Sequence, residues 1–337
     1  MSAEAAPGKR FRIAVIGAGG VSSMHFDGFQ MRPDRIDVVA VVDPSAERRE
    51  WATSTYGIPQ AFSSLREALA GADFDVAVVC TPSNVRLETV RELAAAGKHI
   101  LVEKPMAAGL DEAVELVRVA DEGGVQLAVD QNFREYYGFE LARELIAAGR
   151  IGRVRAVNHR ELMHRQDEGW RNEQPHHALM VMGVHWLDGF RMLVPDDATW
   201  LIARTFSAPS VTAIGETDAN LQIHFGDVTV TYTDSFASWI TQWDTIVLGD
   251  EGTLQITDGK VIVATAAGID EFVNEYSLDG NKPLSAYRAL EKLLDAIETG
   301  TEASNSGRDN LKTIALIDGA YRSAATGQPV TFVDGLL

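Results

Sequence analysis

The chain has a single cysteine, Cys80, so no disulfide can form within it. Cys80 ends the run Val76-Ala77-Val78-Val79-Cys80, which reads as a buried strand where a thiol acts as a small apolar side chain. No apolar run approaches the length of a membrane span. Met1 to Lys9 lack the apolar stretch of a secretory signal, and a cytoplasmic protein is expected. Basic residues are the minority: 30 Lys and Arg stand against 48 Asp and Glu, a formal net charge of −18. Such a surface repels nucleic-acid phosphates and anionic lipid, so neither is expected as a partner, and the charge reads as solubility. No internal repeat or low-complexity tract is present. With 46% hydrophobic and 23% charged residues, a length of 337 gives room for two domains, each with a sizeable core.

What is present begins with Arg12-Ile13-Ala14-Val15-Ile16-Gly17-Ala18-Gly19-Gly20-Val21-Ser22. A β-branched strand runs into a glycine-rich turn, and a helix is expected to open at about Val21. Glycines let the backbone bend sharply and approach a pyrophosphate, and the helix would aim free N–H groups at it. Ser22 takes the third small position of the Gly-x-Gly-x-x-Gly pattern. The next apolar run, Ile36–Val42, ends at Asp43, near the spacing of the acid that grips an adenosine ribose. A carboxylate there accepts from both ribose hydroxyls and repels a 2′-phosphate, which favours NAD over NADP. Asp43-Pro44-Ser45 also has the composition of a simple turn, and Arg48 and Arg49 follow closely.

Strands are expected at 12–17, 36–42, 75–80, 99–102 and 126–130, with helices between them, such as 87–96 stopped by Gly97 and 113–121 stopped by Gly123-Gly124. Alternating apolar strands and helices imply an α/β Rossmann domain, a doubly wound parallel sheet over residues 1–131. Beyond Asn132 a helix at 139–148 precedes long alternating stretches: Val154–His159, Leu221–Phe225, Val228–Tyr232, Thr253–Ile256 and Val261–Val263. Gly226-Asp227 and Asp258-Gly259 read as hairpin turns. With closing helices at about 285–299 and 309–325, residues 132–337 read as an α+β domain holding a large, open, mainly antiparallel sheet.

A further strand delivers Glu103-Lys104-Pro105 to the carboxyl end of the parallel sheet, where ligands bind in such folds. Together with Thr81-Pro82-Ser83-Asn84, Asn132-Phe133-Arg134, Ala148-Gly149-Arg150-Ile151-Gly152 and Gly183-Val184-His185-Trp186-Leu187-Asp188, this ordered set resembles the Gfo/Idh/MocA oxidoreductase family over essentially the whole chain. The resemblance places Lys104 beside the nicotinamide and the reacting carbon, where an ammonium stabilises charge developing on the reacting oxygen. It makes His185 the group that takes the substrate hydroxyl proton. Gly17, Gly19, Gly20, Val21, Asp43, Thr81, Pro82, Asn84, Glu103 and Asn132 are implied to hold the cofactor, and Pro105 is a candidate for a cis peptide.

One departure stands out. Family members commonly carry an Asp four residues before the histidine; here the residue is Val181. Glu161, Asp188, His176 and His177 are the nearest candidates to replace it. Five of the eight histidines, His159, His164, His176, His177 and His185, fall within 159–185. No Cys supports them and the spacings are not those of metal ligands, so no metal is expected. A polar, aromatic substrate pocket fits better, with Trp170, Arg171, His176, His177, His185 and Asp188 as candidates beside Lys104. Arg165, Gln166 and Asp167 read as a solvated loop.

The expected function is hydride transfer between NAD and a hydroxyl or keto carbon of a sugar, cyclitol or related polyol, in a homodimer or homotetramer. The alternatives are a redox-neutral NAD-dependent glycosidase or lyase, and a non-catalytic dinucleotide-binding regulator.

Overall fold

The computed structural model describes residues 10–274 and 278–337; the segment Met1 to Lys9, read for a signal above, lies outside them. Eleven elements alternate at the start: β1 (Phe11–Ile16), α1 (Ser22–Gln30), β2 (Ile36–Val42), α2 (Ala46–Tyr56), β3 (Gln60–Phe62), α3 (Leu65–Gly71), β4 (Val76–Val79), α4 (Arg86–Ala95), β5 (His99–Glu103), α5 (Leu110–Glu122) and β6 (Leu127–Asp130). The six strands form one parallel sheet in the order β3-β2-β1-β4-β5-β6. β1 and β4 lie at its centre, and Ile13, Val15, Val76 and Val78 have no exposed surface, because helices cover both faces. Alternation of apolar and polar residues is therefore absent from these strands. β3, three residues at the sheet edge, has too little pattern to be foreseen. Ser45 and Ser64 cap α2 and α3 by accepting the N–H groups of Arg48 and Glu67.

The chain continues through α6 (Tyr137–Ala147), β7 (Val154–His164), α7 (Val184–Leu193), β8 (Ala198–Phe206), β9 (Asp218–Phe225), β10 (Val228–Ser235), β11 (Ala237–Gly249), β12 (Gly252–Thr257), β13 (Lys260–Thr265), β14 (Gly268–Val273), α8 (Leu278–Thr299), α9 (Gly307–Thr326) and β15 (Val330–Thr331). Nine strands form one sheet in the order β14-β13-β12-β11-β7-β10-β9-β8-β15. All pairs are antiparallel except β7 with β10. The expected strands form but run longer: β7 reaches His164 and β10 reaches Ser235. One face of this sheet carries Val157, His159 and Glu161 beside their register partners Val230, Tyr232 and Asp234, all buried. Trp186 and Phe190 of α7 pack against His159 and Tyr232 on that face.

Two compact units result, residues 10–132 with 281–310, and residues 133–280 with 311–337. The expected division at 131/132 placed all of 132–337 together. Residues 281–310 instead return to the first unit. Tyr287, Leu290, Leu293, Leu294 and Ala296 of α8 share one apolar core with Phe11, Phe26 and Phe29. Gly28 allows the close approach: a Cβ there would lie 2.2 Å from the Pro283 carbonyl oxygen. A helix's apolar stripe says that it packs, not on which sheet.

Candidate active site

In the first unit, β1 ends at a turn that only glycine fits. Gly17 has φ +96°, and a Cβ on it would meet the Cys80 carbonyl carbon at 3.1 Å and oxygen at 3.2 Å. Its N–H donates to the Val42 carbonyl (2.7 Å), which joins the turn to β2. Asp43 follows directly, and its carboxylate accepts the Ala18 N–H (2.8 Å) and the Ser45 N–H (2.8 Å). The acid and the glycine turn are thus one unit of structure. Added Cβ atoms at Gly19 and Gly20 would meet nothing within 4 Å. α1 opens at Ser22 with Val21 before it and no side-chain cap; the Ser22 and Met24 N–H groups donate to the Gly19 and Val21 carbonyls, and the positive end of the helix faces the turn. Beyond β4, the Thr81 hydroxyl is buried with no hydrogen-bond partner among the described residues. Pro82 and Asn84 are exposed beside it. Bare glycines, an uncapped helix start, an orphaned hydroxyl and a turn-bound carboxylate along one sheet edge fit a dinucleotide.

At the end of β5, Lys104 follows Glu103, and the Lys104–Pro105 peptide is cis, as anticipated. Glu103, expected to hold the cofactor, is only 6% exposed and turns inward. Its Oε1 lies 2.7 Å from His25 Nε2, and its Oε2 accepts the Lys104 N–H (3.1 Å). Against the cost of burial, the bond from His25 and the nearby positive charges hold its carboxyl below the usual range. Asp130 joins them, its Oδ2 3.5 Å from His25 Nε2. These three could present ligand atoms to a cation; the direct His25–Glu103 hydrogen bond accounts for their closeness without one. Asn132, also buried, points its amide at the Met24 sulfur (3.8 Å).

In the second unit, a single π-helical turn, Leu179–Gly183, runs directly into α7. His185 sits in the first turn of α7, 4% exposed. Its ring stacks on Phe133, with centroids 3.8 Å and planes 16° apart. Val181 is half-buried against Ala178, Val211 and Phe236, so the position of the usual Asp is filled by apolar packing.

None of the four proposed substitutes supplies an ionised carboxylate in its place. Asp188 is 1% exposed and already committed, to Arg134 (2.5 and 2.6 Å), Arg191 (3.3 Å) and Thr313 (2.6 Å). These contacts tie it into the fold. His177 has no exposed surface; its Nε2 lies 3.0 Å from Asp167 and its N–H donates to Glu216. His176 is exposed and stacks on Tyr321, centroids 3.8 Å apart. Burial pushes the Glu161 carboxyl up to about 8. Burial and the adjacent Glu161 push Asp234 up as well.

The solvated loop expected at Arg165, Gln166 and Asp167 is instead pinned. Arg165 and His177 both bind Asp167 and, against the cost of burial, hold its carboxyl below the usual range. Gln166 donates to the Ser210 carbonyl (2.6 Å) and accepts the Thr212 N–H (3.1 Å). Arg171 is exposed; the Trp170 side chain lies outside the described residues.

Sequence reasoning missed His25 and Arg134. His25 follows Val21 and precedes Phe29 at four-residue steps, on the buried stripe of α1, which marks it as a core residue. Arg134 belongs to the Asn132-Phe133-Arg134 run, but its partner lies 54 residues away.

Comparison with known proteins agrees with this geometry. Residues 11–131 match the oxidoreductase family with an NAD-binding Rossmann fold, and residues 143–332 match that family's C-terminal alpha/beta domain. The chain is 30% identical to 1,5-anhydro-D-fructose reductase of Ensifer adhaerens, over 89% of this chain and 92% of that one. It is 28% identical to D-apiose dehydrogenase of Paraburkholderia graminis, over 96% and 90%. An oxidoreductase from Agrobacterium radiobacter, solved in complex with NAD+, L-tartaric acid and magnesium, shares the fold with a TM-score of 0.89 at 23% identity, covering 96% of this chain and 98% of that one. The chain belongs to the Gfo/Idh/MocA oxidoreductase family, with that family's NAD-binding Rossmann domain and its C-terminal α/β domain.

Proposed function

We propose that this oxidoreductase moves a hydride between NAD and a hydroxyl- or keto-bearing carbon of a sugar, cyclitol or related polyol, with Lys104 and His185 as its acid and base groups. One observation carries the reading: Lys104 leaves β5 at the same carboxyl edge of the parallel sheet at which β1 delivers the glycine turn. The relatives named above, an anhydro-sugar reductase and an apiose dehydrogenase, support a sugar as substrate.

Bound NAD supplies the hydride acceptor. Gly17, Gly19, Gly20 and Val21 hold its pyrophosphate, Asp43 its adenosine ribose, and Thr81, Pro82, Asn84 and Asn132 flank it. The Asp43 carboxylate favours NAD over NADP by repelling a 2′-phosphate. Lys104 donates to the reacting oxygen, and its positive charge stabilises the alkoxide. His185 takes the hydroxyl proton; its ring is held by Phe133 and not by a carboxylate at 181. Arg171 and His176, both exposed, contact the remaining hydroxyls. The outer face of the nine-stranded sheet pairs with a second copy in a homodimer or homotetramer. The enzyme works in the cytoplasm; among the described residues no helix is long and apolar enough to cross a membrane.

The test is NADH fluorescence from purified protein and NAD over a panel of aldoses, uronates, inositols and 1,5-anhydro sugars, with Lys104→Ala beside it. A substrate-dependent rise lost in the variant is expected. Sugar consumed with no rise would favour a redox-neutral lyase. Silence across the panel with NAD bound would overturn the reading.

A further inference from the structure

Arg86 is the first residue of α4 and is 2% exposed. Among the described residues no carboxylate lies within ion-pair distance of it. Its hydrogen-bond partners among the described residues are backbone carbonyls: Nη1 donates to Glu103 (2.6 Å), Pro105 and Met106 (3.1 Å), and Nη2 donates to Thr81 (2.6 Å). The position is costly for a cation. Burial strips its water, and the N-terminal end of a helix is the positive end. Burial pulls the guanidinium down to about 10, which leaves it charged at neutral pH. The negative charges of Glu103 and Glu112 offset part of that cost. The carbonyls do share a feature: they flank Lys104 on both sides and include the turn after β4.

We propose that Arg86 is a positioning residue for Lys104, whose guanidinium pins the backbone before and after the lysine and ties it to the Thr81 turn. The proposal rests on the reading of Lys104 as an acid–base group. A planar fork with five donors spans two loops, whereas an ammonium does not. Without it the ammonium of Lys104 ranges with its loop, and misplacement of about 1 Å is enough to cost orders of magnitude in rate.

The test measures kcat, KM, NAD affinity and amide hydrogen exchange in the full-length parent, Arg86→Ala, Arg86→Lys and Lys104→Ala. Both Arg86 variants are expected to lose at least about tenfold in kcat while the sugar KM stays within about threefold. Exchange should accelerate at Lys104, Met106 and Ala107 and not across β1 and β4. Added guanidinium ion should restore part of the Arg86→Ala rate. If Arg86→Ala does not fold, Arg86→Lys, which keeps the charge without the fork, carries the same test. A kcat within twofold of the parent, unchanged exchange at 104–107, or exchange raised throughout the sheet would overturn the proposal. A Lys104→Ala variant as active as the parent would overturn the reading of Lys104 itself. Amide exchange distinguishes that failure from failure of the clamp, because it reports loop order whatever the reaction.

Discussion

Arg134 holds Asp188 by two parallel hydrogen bonds, Nε to Oδ2 at 2.5 Å and Nη2 to Oδ1 at 2.6 Å, with side-chain exposures of 4% and 1%. Arg191 and Thr313 complete the shell of the carboxylate. This pair fixes the segment after Asn132 to α7, and so fixes Phe133 against His185. Breaking one side of a buried pair leaves an uncompensated charge. Asp188→Ala is therefore expected to cost about 3–5 kcal/mol, read from urea unfolding, and Arg134→Met combined with it should recover part of that loss. A single variant within about 1 kcal/mol of the parent would mean the pair is solvated in solution.

Gly17 and Gly19 separate stability from ligand binding. Gly17→Ala forces a side chain into φ +96° and against the Cys80 carbonyl. It should lower stability by at least about 1–2 kcal/mol and weaken NAD binding. A Cβ at Gly19 meets no protein atom within 4 Å, so Gly19→Ala should leave the melting temperature unchanged and weaken NAD alone. Equal effects of the two on stability would contradict this picture of the turn.

Asp43 spends one lone pair on the Ala18 N–H and one on the Ser45 N–H, leaving acceptor capacity on both oxygens. Asp43→Asn removes the charge that repels a 2′-phosphate and weakens a charge-assisted contact of about 1.5–3 kcal/mol. NAD affinity should fall about 10- to 100-fold, and the preference for NAD over NADP should shrink. Unchanged discrimination in a titration with both cofactors would remove Asp43 from the site.

The Glu161 carboxyl stands at about 8 in the fold against an ordinary value near 4.5, by burial. The folded chain holds that proton more tightly than the unfolded one. The resulting stability is fully present below about pH 4.5 and is lost as pH rises through 8. Asp234, also raised, adds in the same sense. His159, pulled down to about 3 by burial, acts oppositely, but only below its ordinary value of 6.5. Between pH 6.5 and 8.5 His159 no longer contributes, and Glu161 should cost the parent on the order of 2 kcal/mol. Glu161→Gln should flatten that fall in a series of melting curves. An equal slope in parent and variant would place the titration elsewhere.

Local signals carried much of this in the sequence. The glycine turn, Asp43 and the strand leading to Lys104 each combine a short apolar run with a residue whose conformation or charge has one physical use. The helix stops and hairpin turns were legible for the same reason. What escaped was long-range. His25 meets Glu103 across 78 residues, Arg134 meets Asp188 across 54, and Arg86 meets carbonyls, which leave no mark in a sequence. Asp167 looked like a loop residue because its neighbours are polar; its partner His177 lies ten residues on, around a bend that no periodicity records. The return of α8 to the first unit had no local signature either, since its apolar stripe would suit either sheet.

The central claim is that a hydride leaves a sugar carbon under the action of Lys104. It is tested most directly with a sugar deuterated at the oxidised carbon, identified from the substrate panel, followed by mass spectrometry of the recovered nicotinamide cofactor. One deuterium should appear in the cofactor with the parent enzyme and none above background with Lys104→Ala. Product formed with no deuterium in the cofactor, or equal labelling by both proteins, would contradict it.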